Sequence, residues 1–179
     1  MIRVNRGRVP RVIPRNRKRW LEALARATTP EERERALSRY RHDDIKAALK
    51  TAFHGKCAYC ESFILHIDYP HIEHFRPKSK YPNKAFDWSN LLLACGVCNG
   101  SEHKGDEFPL KADKGPLVNP CAEEPATHLS FDFDPVTRLA SVTKPSASDS
   151  FSWAFSQEAG STSGRPKTWR IPPATRSTM

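Results

Sequence analysis

"GKCAYCESFILHIDYPHIEHFRPKS", Gly55 to Ser79, places a cysteine pair, three histidines and Glu73 in one short span. Its meaning depends on a second stretch, "DWSNLLLACGVCNGSEHKG", Asp87 to Gly105. Together they hold Cys57-x-x-Cys60 and Cys95-x-x-Cys98, with 34 residues between the pairs. A CxxC pair wraps a thiolate knuckle around one side of a tetrahedral ion, and two pairs fill the four positions of a Zn²⁺ site. A single pair reads equally well as a redox motif; two pairs in a small chain with reduced thiols read as metal. Four thiolates leave no open position, so this zinc is expected to be structural. It would staple the two ends of a segment that carries "HIEHFRPKS", and so preorganise a second site there. Cys121 has no partner in this scheme and reads as an ordinary thiol.

Outward from that segment, the N-terminal side reads as helical. Arg15 to Ala27 carries Trp20, Leu21 and Leu24 on one face. In "TTPEERERALSRY", Thr29 is a good N-cap, Pro30 suits the first turn and Glu32 completes a capping box. "DDIKAALKTAF" places Ile45, Leu49 and Phe53 at i, i+4 and i+8, and Gly55 reads as the stop. After Gly55 the chain breaks into short segments. "HIEHF" reads as a strand, 83–89 as loop, and "NLLLACGVCN" as leading into a helix or knuckle. "THLSFDFD" alternates and could pair with "TRLASV". The organisation expected is a basic arm at 1–19, a helical region at 20–54, a zinc-bound module at 55–143 and a disordered tail at 144–179. The fold class is α+β.

Charge is unevenly distributed. The net charge is +9, and the first 19 residues alone carry seven arginines, one lysine and no acid. The remainder is nearly balanced. Two readings stand for the arm: a phosphate contact, or a solvated tail helped by Pro10 and Pro14. Apolar content of 38% allows only a modest core, which a bound metal would reinforce. No apolar run approaches a membrane span and no signal-peptide pattern is present, so a cytoplasmic protein is expected.

The stretches "GKCAYCE", "IEHFRPKS", "DWSNLLLAC", "CN" and "FPL" resemble the HNH endonucleases, most closely the HNH subunit of Septu-type anti-phage systems, including those linked to retrons. The likeness covers roughly residues 40 to 140, with "YRHDDIKAALKTAF" upstream and "PLVNPCAEEPATHLSFD" downstream, and the chain departs from the pattern after about Lys144. The resemblance implies a ββα-metal module whose acid–His pair falls on Glu73 and His74, whose central Asn falls on Asn90 and whose last position falls on Asn99. It also implies an ATPase partner subunit and a nucleic-acid substrate, DNA or RNA.

The chemistry of these residues agrees with hydrolysis of a phosphodiester. His74 can take a proton from water near neutral pH. Glu73 and Asn99 offer oxygens to a hard ion such as Mg²⁺ or Mn²⁺. Asn90 can brace a loop through its backbone. Arg76 and Lys78 can meet phosphates. One geometric difficulty is visible: in a regular strand Glu73 and His74 point to opposite faces, and both serve one site only where the strand ends or bulges. His71 and His103 are rival ligands, while His54 and His66 read as structural. The reading from another class is a zinc-stabilised module that binds nucleic acid or protein without catalysis.

Overall fold

The structure is a computed structural model, and it describes residues 1–66, 69–108, 117–134, 136 and 139–143. The expected tail at 144–179 lies outside the described residues. Three helices come first: α1 (Val12–Arg26), α2 (Pro30–Leu37) and α3 (Asp43–Ala52). Strand β1 (His71–His74), strand β2 (Leu91–Ala94) and a one-turn helix α4 (Gly96–Asn99) follow. Strands β3 (Ser130–Asp134) and β4 (Leu139–Thr143) close a separate antiparallel hairpin.

Local signals explain the helix ends. At α2 the Thr29 hydroxyl accepts from the Glu32 amide at 3.2 Å, and Glu32 Oε2 accepts from the Thr29 amide at 3.3 Å, the expected capping box. The chain kinks through a 3₁₀ turn at Ser38–Arg41. It restarts at α3, where His42 Nδ1 accepts from the Asp44 amide and two aspartates complement the dipole. Beyond α3 the backbone turns through His54 and Gly55, both with positive φ. At Gly55 a Cβ would come within 2.7 Å of the Leu65 side chain, so glycine is required both by conformation and by space.

The core lies between the helices and β2. Ile45 and Leu49 of α3 are fully buried, as are all four residues of β2. Within "NLLLAC", Leu91–Ala94 is therefore a fully buried strand that leads into the short helix, whereas the sequence alone suggests only the helix or knuckle it leads into. A continuous apolar run does not distinguish a buried strand from a helix; here α3 covers one side of β2 and β1 pairs along its edge. Trp20 of α1 meets Phe86 with ring centroids 5.3 Å apart.

Helix α1 begins at Val12, ahead of the expected Arg15, and runs through the 19/20 boundary suggested by charge. Upstream of it the chain is packed rather than free. Met1 is buried, the Ile2 amide donates to Glu61 Oε1 at 2.9 Å and the Val4 amide to the Pro120 carbonyl at 2.8 Å. Arg6 donates through Nη1 to the carbonyls of Trp88 (2.8 Å) and Leu91. Arg17 pairs with Asp87 at 2.6 Å. Two of the seven arginines thus hold the turn that leads into β2. Arg6→Met should therefore destabilise the chain by about 1–3 kcal/mol, the cost of unsatisfied buried carbonyls, whereas exposed Arg8→Met should change it by less than about 0.5 kcal/mol. Denaturant titration of the two variants reads this difference, and equal values would remove Arg6 from the fold's supports.

Candidate metal centre and hydrolytic site

Two turns form the cysteine cluster. In the first, the Cys57 amide donates to the Ser62 carbonyl (2.9 Å) and the Glu61 amide to the Cys57 carbonyl (3.0 Å), with Glu61 at positive φ. The Ala58 amide donates to the Leu93 carbonyl at 2.8 Å, which fixes this turn to β2. In the second, Cys95 caps α4 and its sulfur accepts from the Cys98 amide at 3.4 Å. All four sulfurs lie within 4.8 Å of one another, and Cys60 Sγ to Cys95 Sγ is 3.9 Å. A tetrahedral ion with metal–sulfur bonds of ~2.3 Å spaces its sulfurs by about 3.8 Å, so the cluster has the right size for a metal. It is the one group of three or more His, Cys, Asp or Glu ligands able to hold an ion among the described residues.

The thiols also suit a cation. Hydrogen bonds to neighbouring sulfurs push Cys57 and Cys98 upward, while the same kind of bond holds Cys60 down and Cys95 at about 7. Protons are shared within the cluster, and only a bound cation allows all four to be thiolates together.

Strand β1 pairs with β2 one residue to one, from His71 opposite Ala94 to His74 opposite Leu91, without a bulge. Glu73 and His74 therefore leave the ribbon on opposite faces. On the face of α4, His71 Nδ1 accepts from Asn99 Nδ2 at 3.2 Å. Glu73, on the same parity, is 4% exposed and meets Lys104 Nζ at 2.6 Å and the Tyr59 hydroxyl at 3.4 Å. Burial pushes the Glu73 carboxyl up, and Lys104 opposes that. Burial also pushes the Tyr59 phenol well up, reinforced by the carboxylate beside it.

On the other face, His74 is buried with Nε2 2.9 Å from the Ala85 carbonyl. A carbonyl only accepts, so Nε2 carries the hydrogen and Nδ1 keeps the lone pair. Burial lowers the His74 pKa to about 4, so the ring is neutral at physiological pH. The ring of Tyr40 meets it edge-on, centroids 4.6 Å apart.

Asn90 is 3% exposed and closes the loop between the strands. Its Oδ1 accepts from the Arg76 amide (2.8 Å), and its Nδ2 donates to the carbonyls of Arg76 and Lys84 (both 3.0 Å). Arg76 itself lies over the rings of Phe108 (4.8 Å) and Tyr81 (5.4 Å), and Lys78 Nζ lies 5.7 Å from the centre of the Tyr40 ring. The structure thus gathers His74, Asn90, Arg76 and Lys78 around one loop, and Glu73, His71 and Asn99 on the opposite face. His103 lies beyond α4, in the turn before Lys104.

Sequence reasoning missed Lys104 and Tyr40. Lys104 is 2% exposed and donates to Glu73, to the His74 carbonyl at 2.9 Å and to the Gly105 carbonyl at 3.2 Å. It is the link between the two faces. Nothing in "SEHKG" marks this lysine as buried, because the His74 carbonyl that helps hold it is 30 residues away in sequence and Glu73 adjoins His74.

The segment that carries this geometry, residues 57–105, matches the family model described as HNH endonuclease. The chain is further similar to two proteins named Septu protein PtuB. One, from Bacillus mycoides (strain KBAB4), is 36% identical over an alignment of 137 residues that covers 62% of this chain and 46% of that protein. The other, from Bacillus thuringiensis, is 38% identical over 88 residues, covering 49% of this chain and 32% of that protein. The chain thus spans less than half of the length of these curated relatives, 46% of one and 32% of the other.

Two outcomes follow from the geometry. The purified chain should carry one tightly held metal ion with an all-sulfur shell, and its chelation should unfold the module; elemental analysis, X-ray absorption and melting with chelator check this, and an unchanged melt would refute it. Lys104→Met should cost about 3–5 kcal/mol by leaving a carboxylate buried without its cation. Adding Glu73→Gln to Lys104→Met should recover part of that loss. Additive losses in the double-mutant cycle would mean that the two side chains do not act as a pair.

Proposed function

We propose that the chain is a metal-dependent HNH endonuclease that hydrolyses nucleic-acid phosphodiester bonds as the effector of an anti-phage defence system. The observation that carries this reading is His74: a neutral imidazole, held by its Nε2–H on the Ala85 carbonyl, at the end of a strand pinned by the cysteine cluster. That arrangement fixes one tautomer and leaves Nδ1 as the proton acceptor. In the reaction, Nδ1 takes a proton from water as the water oxygen bonds to phosphorus and the bond from phosphorus to the leaving oxygen breaks. Asn90 keeps the Arg76 and Lys84 backbone in place around the imidazole. Arg76, its guanidinium braced by two aromatic rings, and Lys78 meet the substrate's phosphates.

The four cysteines suit Zn²⁺ as a structural ion by donor set and spacing. A hard divalent ion, Mg²⁺ or Mn²⁺, would draw on Glu73 and Asn99. The Asn99 amide nitrogen faces His71, which leaves its oxygen as the donor, and Glu73 would be shared with Lys104. These donors lie on the face of the ribbon opposite His74, so an ion there would supply charge stabilisation at the phosphate served by His74 only once the end of β1 re-aims Glu73. An ATPase partner subunit, a cytoplasmic location and a substrate of DNA or RNA complete the proposal. The similarity to Septu proteins supports the defence role. The non-catalytic alternative draws on one observation, the occupation of the Glu73 carboxylate by a buried lysine.

His74→Gln keeps a donor for the Ala85 carbonyl and removes the base. Its cleavage rate should fall by roughly 10²–10⁴-fold, with metal content and melting temperature retained. The assay is run on DNA and RNA in parallel, with the partner present and added Mg²⁺ or Mn²⁺. A variant that cuts at the parental rate would take the base role from His74.

A further inference from the structure

A cleft of about 390 Å³ opens between α1 and the 3₁₀ turn that joins α2 to α3. Arg19 and Asn16 come from the helix, Arg39, Arg41 and Ser38 from the turn, and Trp20 lines the cleft with them. Both elements bring guanidinium groups to one concavity although they are some 20 residues apart in sequence. Only Arg41 is neutralised by a carboxylate, Glu34, at 3.1 Å. Arg19 donates to the neutral Asn16 amide oxygen at 2.8 Å, and Arg39 is exposed. The cleft therefore carries an excess of positive charge together with neutral hydrogen-bonding groups.

The charge continues out of the cleft. Arg11 at the N-cap of α1 and Arg15 and Lys18 within it are exposed, and with Arg19 they fall at helical spacings that keep them within one face. Eight residues of helix extend about 12 Å, several times the ~3.4 Å axial rise between successive phosphates of one duplex strand. A stripe of that length suits a polyanion rather than a single phosphate. The cleft also touches the hydrolytic site: the Arg41 guanidinium lies 5.3 Å from the centre of the Tyr40 ring, and the same ring packs edge-on against His74.

We infer that this cleft and the α1 stripe form a track for the phosphodiester backbone of nucleic acid, leading past Tyr40 to His74. The inference deepens the nuclease reading by placing the path of the substrate, and it assigns the basic charge to two separate tasks. Arg6 and Arg17 hold the fold together, and Arg11, Arg15 and Arg19, with Arg39 from the turn, meet the ligand. The contacts are to phosphates, so the track is indifferent to base sequence.

The test is equilibrium binding of the full chain to short labelled duplex DNA and to single-stranded RNA across a salt series, without added divalent ion so that no turnover occurs. Arg19→Ser/Arg39→Ser is compared with Arg33→Ser/Arg35→Ser, which removes the same charge from exposed positions of α2 outside the cleft. All four side chains are exposed, so metal content and melting should be those of the parent. The cleft pair should make the slope of log K against log salt shallower by roughly 1.8 on the duplex and 1.4 on the single strand, two phosphate contacts in each case. The α2 pair should change it by less than half as much. The nucleic acid on which the loss reaches the value for two contacts is the one the track fits. Equal effects of the two pairs would reduce the track to diffuse attraction and overturn it. An unchanged slope for the cleft pair would also overturn it and assign the face to a protein partner. If the parent cuts nucleic acid but the slope does not respond, the track fails and the nuclease reading stands. If the slope responds and nothing is cut, the reverse holds.

Discussion

Four sulfur atoms within 4.8 Å of one another cannot all carry negative charge without a cation among them. The rest of the module is organised around that constraint. One pair of sulfurs belongs to a turn that follows α3, the other to the one-turn helix that follows β2. An ion held by both would draw together segments separated by 34 residues and so fix where β1 lies. With a short strand of four residues and a ribbon of two strands, pairing alone would be marginal. The sulfur cluster at one side and α3 at the other hold the ribbon in register.

Register then decides chemistry. Because the pairing is one-to-one, Glu73 and His74 occupy different faces, and each has acquired its own buried environment. Glu73 sits with Tyr59 and the Lys104 ammonium; His74 sits with the Ala85 carbonyl and the Tyr40 ring. Lys104 spans the division by bonding the carboxylate of one residue and the carbonyl of the next. A lysine excluded from water is stable only when its donors are met, and here three oxygens meet them. The result is a rigid connection from the second cysteine turn to both residues of the acid–His pair.

The helices contribute more than a scaffold. Tyr40 brings the helical region into contact with the imidazole, and Arg6 and Arg17 tie the N-terminal segment to the turn that carries Asn90. A run of arginines is thereby divided by tertiary structure: some are consumed by carbonyls and a carboxylate, others remain on the surface.

The sequence alone determined the elements whose signals are local. The double CxxC spacing announced the metal cluster, the Thr29–Glu32 box set the start of α2, and the i, i+4, i+8 stripe of Ile45, Leu49 and Phe53 named the buried face of α3. Those features depend on neighbours a few residues apart, or on a donor set with one dominant use. Glu73, His74, Asn90 and Asn99 were singled out through their resemblance to a family pattern rather than through any period. What only the tertiary structure decided was which face each of them occupies, that Lys104 is buried, that β2 is a strand, and that Arg6 is structural while Arg19 is exposed. Each of those depends on groups brought from distant positions: Lys104 on His74 across 30 residues, Arg6 on Trp88 across 82. A buried lysine and a solvated one have the same spelling, and only the oxygens that surround the ammonium distinguish them.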